Sequence, residues 1–310
     1  MNLVSGTYTS VVIILDVVGN GFVVFATVAH NAIKLDKMSV WIIQNLAVVD
    51  MANAVFVLTP STISYFADGT WVLGTAMCKL TFAYKYSFVI GNIFLINLLS
   101  VNKLIRCLFP LRNLVSSRRQ RHLVTCFIVL IMLAGPARKL TAVFITKSAL
   151  VRFSQIHGTC IAYVLDMGVE KHFHPELERA MSILFTILPC LALVILNATL
   201  VGFAVRSVNR KVNRKNVLIV VLVTLTFVLT YTPFGVQYQI YGQSFHNAPP
   251  SLRIGLCLGF ISSFSNPFIY MATNDTFKEF TKSTARWIFC EFTAKAWTRL
   301  CRGLRKISSC

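Results

Sequence analysis

Apolar residues gather into seven long stretches along the chain, at roughly 9–31, 39–65, 75–101, 121–144, 178–205, 216–241 and 251–272. Each is long enough to cross the roughly 30 Å hydrocarbon core of a bilayer as a helix. The last one closes on Asn266-Pro267-Phe268-Ile269-Tyr270. A proline there removes a backbone bond and crowds the preceding turn, a heavy cost for an isolated helix. Inside a bundle, neighbours or water satisfy the freed carbonyl and the break becomes a hinge. Past that stretch the pattern changes: Phe277, Phe280, Thr284, Trp287 and Ile288 recur at helical spacing, with Lys278, Lys282 and Arg286 between them. Such a helix lies in the membrane interface or packs on the bundle beside it. The pattern predicts an all-α integral membrane protein, a seven-transmembrane helix bundle with a short amphipathic eighth helix. Residues 1–8 form an extracellular N-terminus, 9–272 the bundle, 273–290 the juxtamembrane helix and 291–310 a basic cytoplasmic tail.

Composition sharpens the class. At 55% hydrophobic and 13% charged residues, with a mean hydropathy of +0.67, the chain is too apolar for a soluble domain. A formal net charge of +19 would suit nucleic acid. Most of the Lys and Arg residues, however, sit in the connections 32–38, 102–120 and 206–215 and in the tail from 271, and short loops offer no groove-sized basic face. By the positive-inside rule these segments are cytoplasmic and the N-terminus is outside. The basic collar also favours anionic inner-leaflet lipid. The first apolar stretch lacks a basic leader and runs too long for a cleavable signal, so it reads as the first span. The few residues ahead of it leave no room for a large ligand-binding ectodomain. The longest connection, about 146–177, is extracellular. Cys78, at the outer end of span three, and Cys160, in that long loop, lie on the oxidising side, where a disulfide persists. Cys107, Cys126, Cys190 and Cys257 suit small apolar packing positions. Cys290 is a juxtamembrane cysteine open to palmitoylation.

Several residues occur in order, one set per span, and together they resemble the rhodopsin-like (class A) G-protein-coupled receptors. They are Gly19-Asn20 in span one, Leu46-Ala47-Val48-Val49-Asp50 in span two, and Trp71 ahead of Cys78. Pro189 follows in span five, Phe227 and Pro233 in span six, and Asn266-Pro267-Phe268-Ile269-Tyr270 in span seven. Asn274-Asp275-Thr276-Phe277-Lys278-Glu279-Phe280 is similar to the start of that family's eighth helix. The resemblance implies a multi-pass plasma-membrane receptor. An extracellular ligand would bind within the bundle, and span six would tilt about Pro233 to activate a cytoplasmic heterotrimeric G protein. Phe227, Tyr231, Pro233, Pro267 and Tyr270 would act as the activation switch. Asn102, Lys103, Arg206 and Lys215 would face the transducer, with arrestin as a further partner. Bottom-up chemistry agrees at Asp50, a carboxylate near mid-membrane where a bare charge costs about 2.5 kcal/mol or more. It must find partners, and Asn20, Asn92 and Asn266 are candidates. In the family such a constellation holds a sodium ion, an allosteric modulator rather than a cofactor. A protonated Asp50 in neutral hydrogen bonds is the plainer alternative.

The chain also departs from the family pattern. Asn102-Lys103-Leu104 stands where an acidic-arginine-aromatic triplet is expected. Lys103 keeps a cation but lacks the planar fork of arginine. Asn102 removes the acid that would restrain it, so weaker locking and altered coupling are expected. Asn197 replaces the family's tyrosine in span five, Tyr231 stands in for the tryptophan before Pro233, and span four has no tryptophan. For the ligand, Lys85 lies where aminergic receptors carry an aspartate and Phe260 where retinal-binding relatives carry a lysine, which argues against an amine or a Schiff base. Lys85 and Arg253 suit an acidic ligand, with Tyr86, Tyr231 and Tyr238 lining the pocket. An internal pairing of Lys85 with Asp16, or a lysine reaching for water, is the alternative. A receptor-fold protein that binds ligand without G-protein coupling stays open, arrestin-biased or scavenging. A transporter or channel is disfavoured, since no inverted repeat or continuous file of charge is visible. No nucleophile-base pair suggests an enzyme.

Overall fold

The computed structural model describes residues 2–29, 36–68, 70–109, 122–133, 149–154, 159–166, 169–172, 180, 183–206, 214–241 and 250–286. Helix α1 runs Asn2–Ala29. It begins at Asn2 rather than near residue 9, so the segment read as the extracellular N-terminus, 1–8, is already helical over most of its length. Its hydroxyls do not end the helix, because Thr7, Thr9 and Ser10 donate back to the carbonyls of Leu3, Ser5 and Gly6 within it.

Helix α2 spans Lys37–Phe66 and is N-capped by Asp36, whose carboxylate accepts from the Ser39 amide at 3.0 Å. A wide π turn at Ala54–Leu58 precedes Pro60. Proline cannot donate, and its ring crowds the carbonyl four residues back, so the widened turn relieves that strain. Helix α3, Gly74–Leu108, is the longest described. Helix α4 is described over His122–Leu133, and the rest of the expected fourth span lies outside the described residues.

Three strands follow in the long connection: β1 Ala149–Ser154, β2 Thr159–Asp166 and β3 Val169–His172. They form an antiparallel sheet in the order β1-β2-β3, with Phe153 opposite Cys160 and Tyr163 opposite His172. The sheet packs against α3. It is the one departure from an all-α chain among the described residues, and its Val, Ile, Phe and Tyr content is typical of strands.

Helix α5, Ile183–Arg206, opens with a π turn at Ile183–Ile187 just ahead of Pro189. Helices α6, Arg214–Tyr241, and α7, Pro250–Thr273, carry Pro233 and Pro267 in their interiors. Helix α8 covers 275–286. It is started by Asn274, whose side-chain oxygen accepts from the amides of Thr276 at 3.0 Å and Phe277 at 3.3 Å. Phe277 is buried against Tyr270, and Phe280 packs on Phe22 and Phe25 of α1.

Helix α6 lies along α7, α1 lies against α2 and α7, and α3 lies between α2 and α5. The main core fills the α8 end of the bundle, with Ile42 and Leu46, Ile96 and Leu99, Leu200, and Val223 among its fully buried members. Outward faces are apolar instead of polar: Val18, Phe127, Ile195 and Leu229 are exposed on four different helices. A protein in water would not leave such a belt uncovered, whereas lipid tails cover it without cost. Leu3–Val28, Lys37–Phe66, Ser87–Leu108 and Ile183–Arg206 are each long and apolar enough to cross a membrane on length and composition.

Candidate functional site

A column of polar side chains runs through the apolar core. Asp50 on α2 is fully buried and accepts from Asn92 of α3 at 2.6 Å and from Asn266 of α7 at 3.1 Å. Asn20 of α1 donates both to the Asp16 carboxylate and to the Ser263 carbonyl of α7, the latter at 3.3 Å. The structure thus joins Asp50, Asn92 and Asn266 directly and sets Asn20 in the adjacent pair with Asp16. One acid therefore ties three helices together, and an asparagine ties α1 to the proline-bearing helix. The other oxygens of this region, Asp16 Oδ2, Asn20 Oδ1 and Asn92 Oδ1, are buried and have no hydrogen-bond partner among the described residues. An all-oxygen set of that kind, carrying carboxylates, fits a hard cation such as sodium.

The groups expected to switch lie on α6 and α7. Phe227 and Tyr231 of α6 stack at 5.3 Å between ring centroids, one turn apart and just ahead of Pro233. Tyr231 faces Gly259 of α7, where a β-carbon would lie 3.7 Å from its ring. Tyr270, after Pro267, is buried, and its hydroxyl is unpaired among the described residues. Two amides hold α5 to α3: Asn97 donates to the Pro189 carbonyl at 3.1 Å, and Asn197 donates to Ser100 Oγ at 3.0 Å. The residue standing in for the family's tyrosine is therefore a helix-to-helix link.

The α8 end holds an arrangement that sequence reasoning missed. Lys103 was expected to be unrestrained because Asn102 replaces an acid. Instead Lys103 Nζ lies 2.8 Å from Asp36 Oδ1, and both side chains are almost wholly buried. Asn102 donates to Asp36 Oδ2 at 2.9 Å, Ser39 Oγ donates to Oδ1 at 2.8 Å, and Arg106 Nε approaches Oδ2 at 3.4 Å. Burial alone would raise the Asp36 pKa. The Lys103 ammonium and the donors around it outweigh that and hold the carboxyl well below the usual range. The acid absent from position 102 is thus supplied by the start of α2. A signal existed, since Asp36 is the sole acidic residue in the connections 32–38, 102–120 and 206–215.

Arg206 ends α5 in an exposed position, and Lys215 lies in the first turn of α6. At the sheet end, Lys85 and Tyr86 are on α3, Tyr238 on α6 and Arg253 on α7, and their side chains, like that of Lys215, lie outside the described set. Thr81 and Ser87, also on α3, carry buried hydroxyls with no partner among the described residues. Cys78 is disulfide-bonded, and β2, which carries Cys160, packs against α3. Cys290 lies outside the described residues.

An apolar helix bundle with a buried acid tying three of its helices defines a multi-pass membrane protein. The sequence profile of the 7 transmembrane receptor (rhodopsin family) matches residues 19–270, and the chain belongs to that family. It is therefore a receptor and not an enzyme. It is 25% identical to mouse chemerin-like receptor 1, over 87% of this chain and 75% of that one. It is 25% identical to mouse C-C chemokine receptor 1-like protein 1, over 87% and 76%. Mouse lysophosphatidic acid receptor 6 is 24% identical, over 89% of this chain and 82% of the relative. Among solved structures, squid rhodopsin superposes with a TM-score of 0.71 at 17% identity, covering 93% of this chain and 87% of that chain.

Proposed function

We propose that the protein is a G-protein-coupled receptor of the plasma membrane, with its N-terminus and β-sheet outside and its α8 end in the cytoplasm. The observation that carries this reading is the Asp50–Asn92–Asn266 junction, which pins proline-broken α7 to α2 and α3, while Tyr231 of α6 faces α7 at Gly259. A ligand that favours an outward tilt of α6 about Pro233 shifts the population toward an open cytoplasmic face. Lys103, Asn102, Arg206 and Lys215 then meet the heterotrimeric G protein. The basic connections support this orientation.

The ligand enters at the sheet end and is acidic, held by Lys85 and Arg253 among Tyr86, Tyr231 and Tyr238. A relative named for lysophosphatidic acid supports an acidic ligand. A Cys78–Cys160 disulfide anchors the sheet over that entrance. Asp50, with the amide oxygen of Asn92, would hold a sodium ion that supplies positive charge to the polar column and favours the resting packing.

Recruitment of G protein at the cell surface, with no ligand and then across a panel of lipid acids and acidic peptides, tests the reading. Recruitment above that of an unrelated seven-helix protein is expected, and none under any condition leaves the arrestin-biased alternative. Sodium binding is read separately: sodium chloride should raise the melting temperature of the purified chain over choline chloride, and Asp50→Asn should abolish the difference.

A further inference from the structure

We propose that Asp36 is a relocated restraint, a positioning residue that holds Lys103 in the resting state in place of the acid missing at Asn102. This rests on the proposed coupling function and identifies how its cytoplasmic end is kept closed. The geometry is that of a filled acceptor. Asp36 Oδ1 receives Lys103 Nζ and Ser39 Oγ, both at 2.8 Å. Oδ2 receives Asn102 Nδ2 at 2.9 Å and the Ser39 amide at 3.0 Å, with Arg106 Nε at 3.4 Å. The Lys103 side chain is 8% exposed and that of Asp36 6%, so the cation cannot meet a transducer until the contact opens. A buried pair of this kind strongly favours its own geometry, because separating it leaves a charge uncompensated.

The same contact explains the asparagine. Asn102 is neutral and donates to Asp36, whereas an aspartate there would set a second carboxylate against the first. Asn102 and Asp36 are thus two halves of one exchange: the acid has moved from α3 to the start of α2, and the residue left behind has become a donor to it. The restraint therefore ties α3 to α2, and a ligand-driven shift of α3 relative to α2 is what releases Lys103.

A charge-transfer series tests this in full-length receptor at matched surface level. Asp36→Asn keeps the α2 cap, since asparagine caps as well as aspartate, but removes the charge. It should raise ligand-free G-protein recruitment roughly fivefold or more, the change given by an equilibrium shift of about 1 kcal/mol. Asn102→Asp added to Asp36→Asn returns the acid to α3 and should bring recruitment back toward the native level, which a merely structural role for Asp36 would not do. Where the receptor recruits G protein at all, unchanged recruitment in Asp36→Asn, or no recovery in the double variant, overturns the proposal. A second readout needs no transducer: the distance between spin labels at the α8-end termini of α3 and α6 in purified receptor. That distance should broaden in Asp36→Asn and in Lys103→Gln, and narrow again in the double variant. Broadening without recruitment by any variant would sustain the restraint while overturning the coupling reading, and an unchanged distance would overturn the restraint.

Discussion

Gly19 of α1 meets Pro267 of α7 so closely that a β-carbon on the glycine would lie 3.1 Å from the proline ring. That contact presses α1 against the one point where α7 has lost a backbone bond. Asn20, the next residue, donates to the Ser263 carbonyl four residues before that proline, so α1 meets the hinge at two points one turn apart. Gly19→Ala requires the proline to give by a few tenths of an ångström and should be tolerated. Gly19→Leu forces a whole side chain into the contact and should cost about 1–3 kcal/mol. Melting temperatures in detergent check this, with Gly202→Leu as a control, because nothing lies within 4 Å of a β-carbon there.

Asn197 and Ser100 form a measurable link between α5 and α3. Asn197→Ala and Ser100→Ala each remove the 3.0 Å bond, while the Asn197 bond to the Leu193 carbonyl survives the serine change. The pair should show a coupling of about 0.6 kcal/mol and no more than about 1.7, the range for hydrogen bonds between membrane helices. A double-mutant cycle on melting stability measures it, and strict additivity would show that the two side chains do not interact.

The spans and the Asp50 junction were legible because a bilayer forces long apolar runs and makes any polar residue within them conspicuous. Asn92 and Asn266 stood out for that reason and do bond Asp50. Asp36 was not legible in the same way, since an acid in a polar connection is unremarkable, and its role depends on the spatial meeting of α2 and α3, far apart in sequence. Its capping relation to Ser39 was readable, but the partner beyond it was not. The sheet was missed because the long connection was read for its length, its side and its cysteine alone, although Val151, Phe153, Ile161 and Tyr163 suited strands. Helix α1 begins ahead of the first apolar stretch, because the threonine and serine there bond back within the helix and let it run on.

Asn274 starts α8 with its side chain, and α8 in turn places Phe277 under Tyr270. Asn274→Ala leaves two amides unpaired and should cost about 0.5–2 kcal/mol of local helix stability, whereas Asn274→Asp should retain the cap. Amide exchange over 275–286 should quicken in the alanine variant alone. If both variants exchange like the native chain, packing of Phe277 and Phe280 rather than the cap holds α8.

The Asp36 carboxyl should make the α2–α3 contact indifferent to pH over the physiological range. Burial acts to raise its pKa, but the Lys103 ammonium and the hydrogen bonds from Lys103, Asn102 and Ser39 prevail and hold it well below the ordinary value. A group whose folded pKa is depressed contributes stability that is fully present above its unfolded value of about 3.9 and is lost as pH falls through the folded one. The melting-temperature gap between the native chain and Asp36→Asn should therefore stay constant from about pH 5 to 8 and begin to close only below about pH 4. Purified receptor scanned by differential fluorimetry across that range checks it. A gap that closed between pH 5 and 8 would mean that the carboxyl is not held in its charged form by Lys103.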